Sequence, residues 1–157
     1  MRLGLQTNGR SNELMMQSLF ETHISKHNDF YEEHSNPQQD YSHLLIDYKR
    51  EMHIPEVSRY ADFLIKQKNK LINIELKTNP GEILLDQLIS HSLYCDYCFA
   101  LVPDFCNMPL WFNIQLIKHG FGLIVYNYKE EIFTEAIEAF KNKNRDLKLK
   151  NKYIKLI

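Results

Sequence analysis

Few residues of this chain are of the kinds that break, cross-link or anchor a polypeptide, and each shortage rules something out. Five glycines and five prolines in 157 residues leave no room for a collagen-like repeat or a long low-complexity linker. No apolar run comes near the roughly 20 residues that span a bilayer, and the opening MRLGLQTNGRSNE carries no apolar stretch of the secretory kind. The expectation is a cytoplasmic protein with no membrane partner. A glycine-rich phosphate loop, a GxSxG nucleophile elbow and an HExxH pair are all missing. His23, His27 and His34 sit in a polar region without ligand spacing and read as surface residues. Cysteine is scarce and odd in number: Cys95, Cys98 and Cys106. Three thiols fall one short of a closed zinc or iron–sulfur site, and a disulfide framework does not suit a chain without an export signal. Cys95 and Cys98 lie in or beside an apolar run and are expected as core thiols.

What remains is ordinary globular material, 44% apolar and 25% charged, with nine tyrosines and nine phenylalanines to fill a core. The length is that of one domain. The net charge of −1 conceals an asymmetry: residues 1–140 carry −7, while residues 141–157 (KNKNRDLKLKNKYIKLI) carry +6. The expected organisation is one domain over 1–140 followed by a basic tail. Such a tail is either a solubilising helix end or a contact for phosphate backbones.

Periodicity sets out the elements. Ser11 is an acceptable N-cap, and Leu14, Met15, Ser18, Leu19 and Thr22 recur at helical spacing, which predicts a helix over 12–27. Residues 28–42 are polar, contain Asn36-Pro37 and read as a loop. His43 to Tyr48 and Glu51 to Ile54 are ambiguous short segments before Pro55. Tyr60 to Ile65 and Leu71 to Lys77 read as strands of a hairpin joined by a polar turn at 66–70. Thr78-Asn79-Pro80-Gly81 ends the hairpin, and a helix from Glu82 to about Tyr94 follows. Tyr97 to Val102 is a continuous apolar run, the mark of a strand covered on both faces. Residues 109–119 predict a helix closed by Gly120, Leu123 to Tyr126 a last strand, and Glu130 to Lys141 a last helix. Trp111 and Phe112 read as core. The fold class is α/β, a mixed central sheet flanked by helices.

The chemistry-bearing residues lie in the hairpin. Side chains alternate along LINIELK, so Ile72, Ile74 and Leu76 take one face while Glu75 and Lys77 take the other. Burying such a charged pair is costly without a partner, water or a cation. Asp62 poses the same problem on the neighbouring strand, between Ala61 and Phe63-Leu64-Ile65. Two convergent carboxylates suit a hard divalent cation such as Mg²⁺ or Mn²⁺, and an adjacent lysine suits phosphodiester hydrolysis. On these residues alone, a structural ion-pair cluster on a solvated sheet face is an equal reading.

Ala61-Asp62, then Glu75-Leu76-Lys77, then a helix and a buried strand: in this order the chain resembles the PD-(D/E)xK nuclease superfamily, over about residues 11–126. RYADFLI, INIELKTN and YCDYCFALVP are similar to the MmcB-related DNA-repair group and to archaeal-type Holliday-junction resolvases. The resemblance implies a restriction-endonuclease-like αβββαβ core and a metal-dependent deoxyribonuclease of repair, recombination or defence. It implies that Asp62, Glu75 and the Leu76 carbonyl hold the cation, with Glu13 preferred over Glu21 as an acid from the first helix. Lys77 would act on the attacking water. From the residues themselves, Arg59 is a candidate to meet a DNA phosphate or to pair with Glu56, and Gln87 and His91, which share a helix face with Tyr94, are candidates for DNA contact or for packing and water contacts. His91 stands where some members carry tyrosine, and Ala61 where the usual proline stands. Many nucleases of this fold cut both strands as homodimers. The competing reading, favoured by the acidity of residues 1–140, is a non-catalytic DNA- or protein-binding module on the same fold.

Overall fold

The apolar run at the middle of the chain becomes the middle of the sheet. In the computed structural model, which describes residues 9–34 and 38–157, strand β4 (Tyr97–Pro103) pairs in parallel with β3 (Lys70–Leu76) and with β5 (Gly122–Asn127). Parallel neighbours need crossovers, supplied by helix α2 (Glu82–His91) and helix α3 (Leu110–His119). Antiparallel strands complete both sides: β2 (Arg59–Gln67) on β3, β1 (Asp47–Ile54) on β2, and β6 (Ile132–Ile137) on β5. The spatial order is the chain order, β1-β2-β3-β4-β5-β6. With α1 (Gly9–Glu33) and α4 (Leu147–Ile154) this is an α/β protein with a six-stranded mixed open sheet and four helices among the described residues. No described helix is long and apolar enough to cross a membrane.

Alternation along the strands divides the core in two. Phe63, Ile65, Ile74, Leu76 and Leu101 face α1, meeting Met16, Phe20 and Ile24 at one-turn spacing. Leu64, Leu71, Cys98, Ala100 and Val102 face the other way, against Leu84 and Leu88 of α2, Phe112 and Leu116 of α3 and Tyr153 of α4. Cys95 and Cys98 are buried free thiols, as expected, while Cys106 is only half-buried.

Several expectations are corrected. Helix α1 starts before Ser11 and runs on to Glu33, into the stretch read as a loop. Tertiary bonds hold its polar end: Asn28 donates to the Ile46 carbonyl at 2.9 Å and accepts from the Ile46 amide at 2.8 Å. Its buried stripe is Met16, Phe20 and Ile24, not Leu14, which is exposed. The Ser11 cap and the Asn36-Pro37 turn lie outside the described residues and side chains. Of the two ambiguous segments, the end of the first (Asp47 and Tyr48) and the whole of the second join in β1, while His43 and Leu44 lie in a 3-10 turn, and the hairpin turn shortens to Lys68-Asn69. The helix expected over 130–141 is strand β6, because β5 offers an unpaired edge and Phe133 lies against Tyr126, Phe20 and His23. Helical periodicity in EEIFTEAIEAF gave way to a ladder that only the tertiary structure provides. Phe112 is core, but Trp111 is exposed.

Residues 141–157 are not detached from the domain. Asp146 caps α4 by accepting from the Leu149 amide at 2.9 Å. Tyr153, Leu149, Ile154 and Ile157 pack into the α2–α3 side of the core. Three of the seven basic residues are held in ion pairs, Arg145 and Lys150 on Asp96 and Lys152 on Glu56.

Backbone conformation explains one glycine and close approach another. Gly120 caps α3 at φ 73°, where a side chain is strained. Gly122 sits opposite Phe99, and a Cβ there would come within 2.4 Å of the Phe99 ring and 3.0 Å of the Ala139 Cβ. Gly122→Ala is expected to cost about 1–3 kcal/mol through overpacking. A urea titration read by circular dichroism checks this; an unchanged midpoint contradicts it.

Candidate active site

Sheet register gathers the carboxylates. The β2–β3 ladder runs from Gln67–Lys70 to Phe63–Ile74, so one step further sets Asp62 level with Glu75. There side chains take over from the backbone ladder. The Leu76 amide donates to Asp62 Oδ2 at 2.9 Å, and the Asp62 amide donates to Glu75 Oε1 at 3.3 Å. On the other side of β3, Glu75 pairs with Ala100, and the Lys77 amide continues the parallel ladder onto the Leu101 carbonyl at 3.1 Å. Strand alternation sets Lys77 on the same face of β3 as Glu75. Glu13 of α1 accepts from the Thr78 amide at 3.5 Å, which fixes the start of α1 at the exit of β3. Glu13, Asp62, Glu75 and Lys77 therefore belong to one end of the β2–β3 hairpin.

They do not share one ligand sphere. Among the described residues no three His, Cys, Asp or Glu side chains converge closely enough to hold a metal ion. Glu13, expected as a further ligand, is engaged by the Thr78 amide through Oε1. Leu76 is fully buried, and the bond recorded for it here is made by its amide.

Glu75 is fully buried, and its two oxygens differ in surroundings. Oε1 accepts from Asn73 Nδ2 at 2.8 Å and from the Asp62 amide, and His91 Nε2 lies 3.2 Å away. Oε2 has no partner. Burial first, and then the charge of Asp62, push the Glu75 carboxyl well above its ordinary value. An enclosed acid of raised pKa with one partnerless oxygen, beside a second carboxylate, fits a small divalent cation. Such a cation takes one or two protein carboxylates and completes its shell with water.

Behind Glu75 stands a second row of polar groups. His91 is fully buried, and burial lowers its pKa to about 4, so its ring is neutral. A neutral ring donates through one nitrogen and accepts through the other. Nδ1 lies 2.6 Å from the Tyr94 hydroxyl, whose pKa burial pushes up and whose proton is therefore retained. Tyr94 donates to Nδ1, which assigns the ring proton to Nε2, within reach of Glu75 Oε1 and of the Tyr60 carbonyl at 3.2 Å.

The residues expected to face DNA separate on this evidence. Arg59 is half-buried at the start of β2, three residues before Asp62, and its charge helps depress the His91 pKa. Glu56, the alternative partner for Arg59, is held by Lys152 and Tyr153, which bring that carboxyl down to about 2. Gln87 lies one turn before His91 on α2, with a buried partnerless Oε1. His91 is enclosed, so it cannot touch a phosphate, and that expectation is corrected. Asn73, Tyr60 and the Tyr94 hydroxyl were not anticipated as neighbours of the site. Asn73 was findable, as a polar residue two positions before Glu75 on the same strand face.

Comparisons of this chain with protein-family models, with curated proteins and with solved structures give no match.

Proposed function

We propose that this protein is a Mg²⁺-dependent deoxyribonuclease of the PD-(D/E)xK kind, its α1-β1-β2-β3-α2-β4 order serving as the restriction-endonuclease-like core. One observation carries the reading: the Asp62 and Glu75 carboxyl groups lie close enough to act on each other at the end of the β2–β3 ladder, and buried Glu75 keeps an oxygen, Oε2, that no donor reaches. Asp62 and Glu75 would hold the cation. When bound, Mg²⁺ supplies positive charge to the phosphate and lowers the pKa of water. Lys77 orients the attacking water and meets charge developing on the phosphate. Arg59 and Gln87, both half-buried, are the residues we assign to the DNA strand.

The full enclosure of Glu75 favours a second reading, a binding module in which the raised pKa keeps this acid protonated and no cation enters. Incubation with plasmid, linear and branched DNA in Mg²⁺ or Mn²⁺ separates the two. The nuclease reading expects cleavage that Lys77→Ala reduces at least about a hundredfold while DNA binding persists. No cleavage of any substrate, with DNA binding indifferent to metal, sinks it in favour of the binding module.

A further inference from the structure

The geometry points to His91, braced by Tyr94, as the positioning residue that orients the Glu75 carboxylate beside Asp62. This inference rests on the cation site proposed above. The two oxygens of a carboxylate are chemically equivalent, so what a site must fix is the plane of the group. Donors gathered on one oxygen fix it. Two of those on Oε1 come from the sheet itself, Asn73 Nδ2 and the Asp62 amide. A further polar group, His91 Nε2, approaches the same oxygen from α2 at 3.2 Å.

His91 is placed to do this with little freedom. Its Nε2 lies 3.2 Å from Glu75 Oε1 on β3 and 3.2 Å from the Tyr60 carbonyl on β2. Its N–H is donated to the Tyr60 carbonyl on β2, two residues before Asp62, while the same nitrogen lies against Glu75 on β3. The ring cannot swing, because Nδ1 is bonded to the Tyr94 hydroxyl at 2.6 Å. Tyr94 is fully buried, crosses His91 edge-on at 5.8 Å between ring centroids and lies 5.2 Å from the Tyr153 ring of α4. A buried histidine needing only two partners would be satisfied by Tyr94 and Tyr60. The contact to Glu75 is the addition, and it reaches the partnerless oxygen's own carboxylate. His91 touches neither substrate nor cation; its action passes through Glu75.

Calorimetric titration with Mn²⁺ tests the assignment, using the whole chain and three variants checked for folding by circular dichroism. Wild type is expected to bind Mn²⁺ in a manner lost in Glu75→Gln. His91→Phe, which fills the space without a donor, is expected to weaken Mn²⁺ binding 10- to 100-fold, the usual effect of removing a group that orients a ligand. His91→Gln offers an amide N–H near the position of Nε2 and is expected to recover affinity to within several-fold of wild type. A purely structural histidine would not show that rescue. A folded His91→Phe that binds Mn²⁺ within twofold of wild type overturns the assignment. If His91→Phe does not fold, Tyr94→Phe decides by the same criterion, since it removes only the brace on Nδ1. Mn²⁺ binding without DNA cleavage would end the nuclease reading and leave the role of His91 to be judged by affinity. No Mn²⁺ binding by wild type at millimolar concentration overturns both.

Discussion

Glu75→Gln is expected to yield a protein that is more stable than wild type at neutral pH and at least about a hundredfold less active on DNA. The amide is isosteric, and its oxygen can keep the donors from Asn73 and Asp62 and the contact with His91. Its NH₂ then takes the place of the partnerless Oε2, where it can donate toward Asp62 instead of adding a second negative charge. The gain should be roughly 1–3 kcal/mol, the range seen when buried charge is exchanged for a well-fitting neutral group.

The pH dependence gives the sign. The folded-state pKa of Glu75 lies above its unfolded value, so the native state binds this proton more tightly. Its contribution to stability is present below the ordinary carboxylate value near 4.5 and is lost as pH rises through the raised folded pKa. The advantage of Glu75→Gln should therefore be largest at pH 7–8 and shrink toward pH 4.5. Urea titrations of both proteins across that interval, without divalent cation, make the measurement. A variant less stable than wild type at pH 8 would mean that the buried acid is held by compensations absent from this structure.

Asp96→Ala is expected to cause the larger loss of stability, about 3–5 kcal/mol, out of a total that for domains of this kind is only about 5–15 kcal/mol. Asp96 is fully buried just before β4. Its Oδ2 accepts from the Leu71 amide at 2.8 Å and lies 2.8 Å from Lys150 Nζ, which also donates to Oδ1 at 3.0 Å. Arg145 forms a further ion pair with Oδ1. The backbone of the same residue bonds to Leu71 and to Asn142. Removing the carboxylate leaves one buried ammonium and one nearly buried guanidinium without a counter-charge, the circumstance in which breaking an ion pair costs most. It also releases the segment that seats α4 on the sheet. Proteolysis should then cut first within residues 141–157. Asp96→Leu combined with Lys150→Met and Arg145→Met should recover much of the loss, because an apolar cluster leaves no charge to compensate. A loss below about 1 kcal/mol for Asp96→Ala would show that water reaches these cations freely.

The two predictions concern acids of opposite kinds. Asp96 is encircled by cations and amides and holds the C-terminal helix in place. Glu75 is surrounded by neutral donors and one further acid, which makes it a poor structural element and a good candidate ligand.

How far each was legible in the sequence follows from the range of the interactions. Local pattern was enough for the hairpin, for the alternation that sets Ile74 and Leu76 opposite Glu75, for the doubly covered strand at Tyr97 to Val102 and for the Gly120 cap. In each case neighbours along the chain carry the signal. The convergence of Asp62 with Glu75 was legible too, because a hairpin fixes which residues lie level once its turn is known. The rest depended on partners distant in sequence. Whether EEIFTEAIEAF became helix or strand was decided by the free edge of β5, and the length of α1 by Ile46. The basic tail became structure through Asp96, 54 residues away from Lys150. His91 looked like a group for DNA until the fold closed over it, since a helical position says which face a residue takes but not what covers that face. Sequence alone singled out Asp62, Glu75 and Lys77 as candidates for chemistry. Burial and long-range hydrogen bonding, which exist only once the chain is folded, decided that Glu75 keeps one oxygen free and that His91 stands behind it.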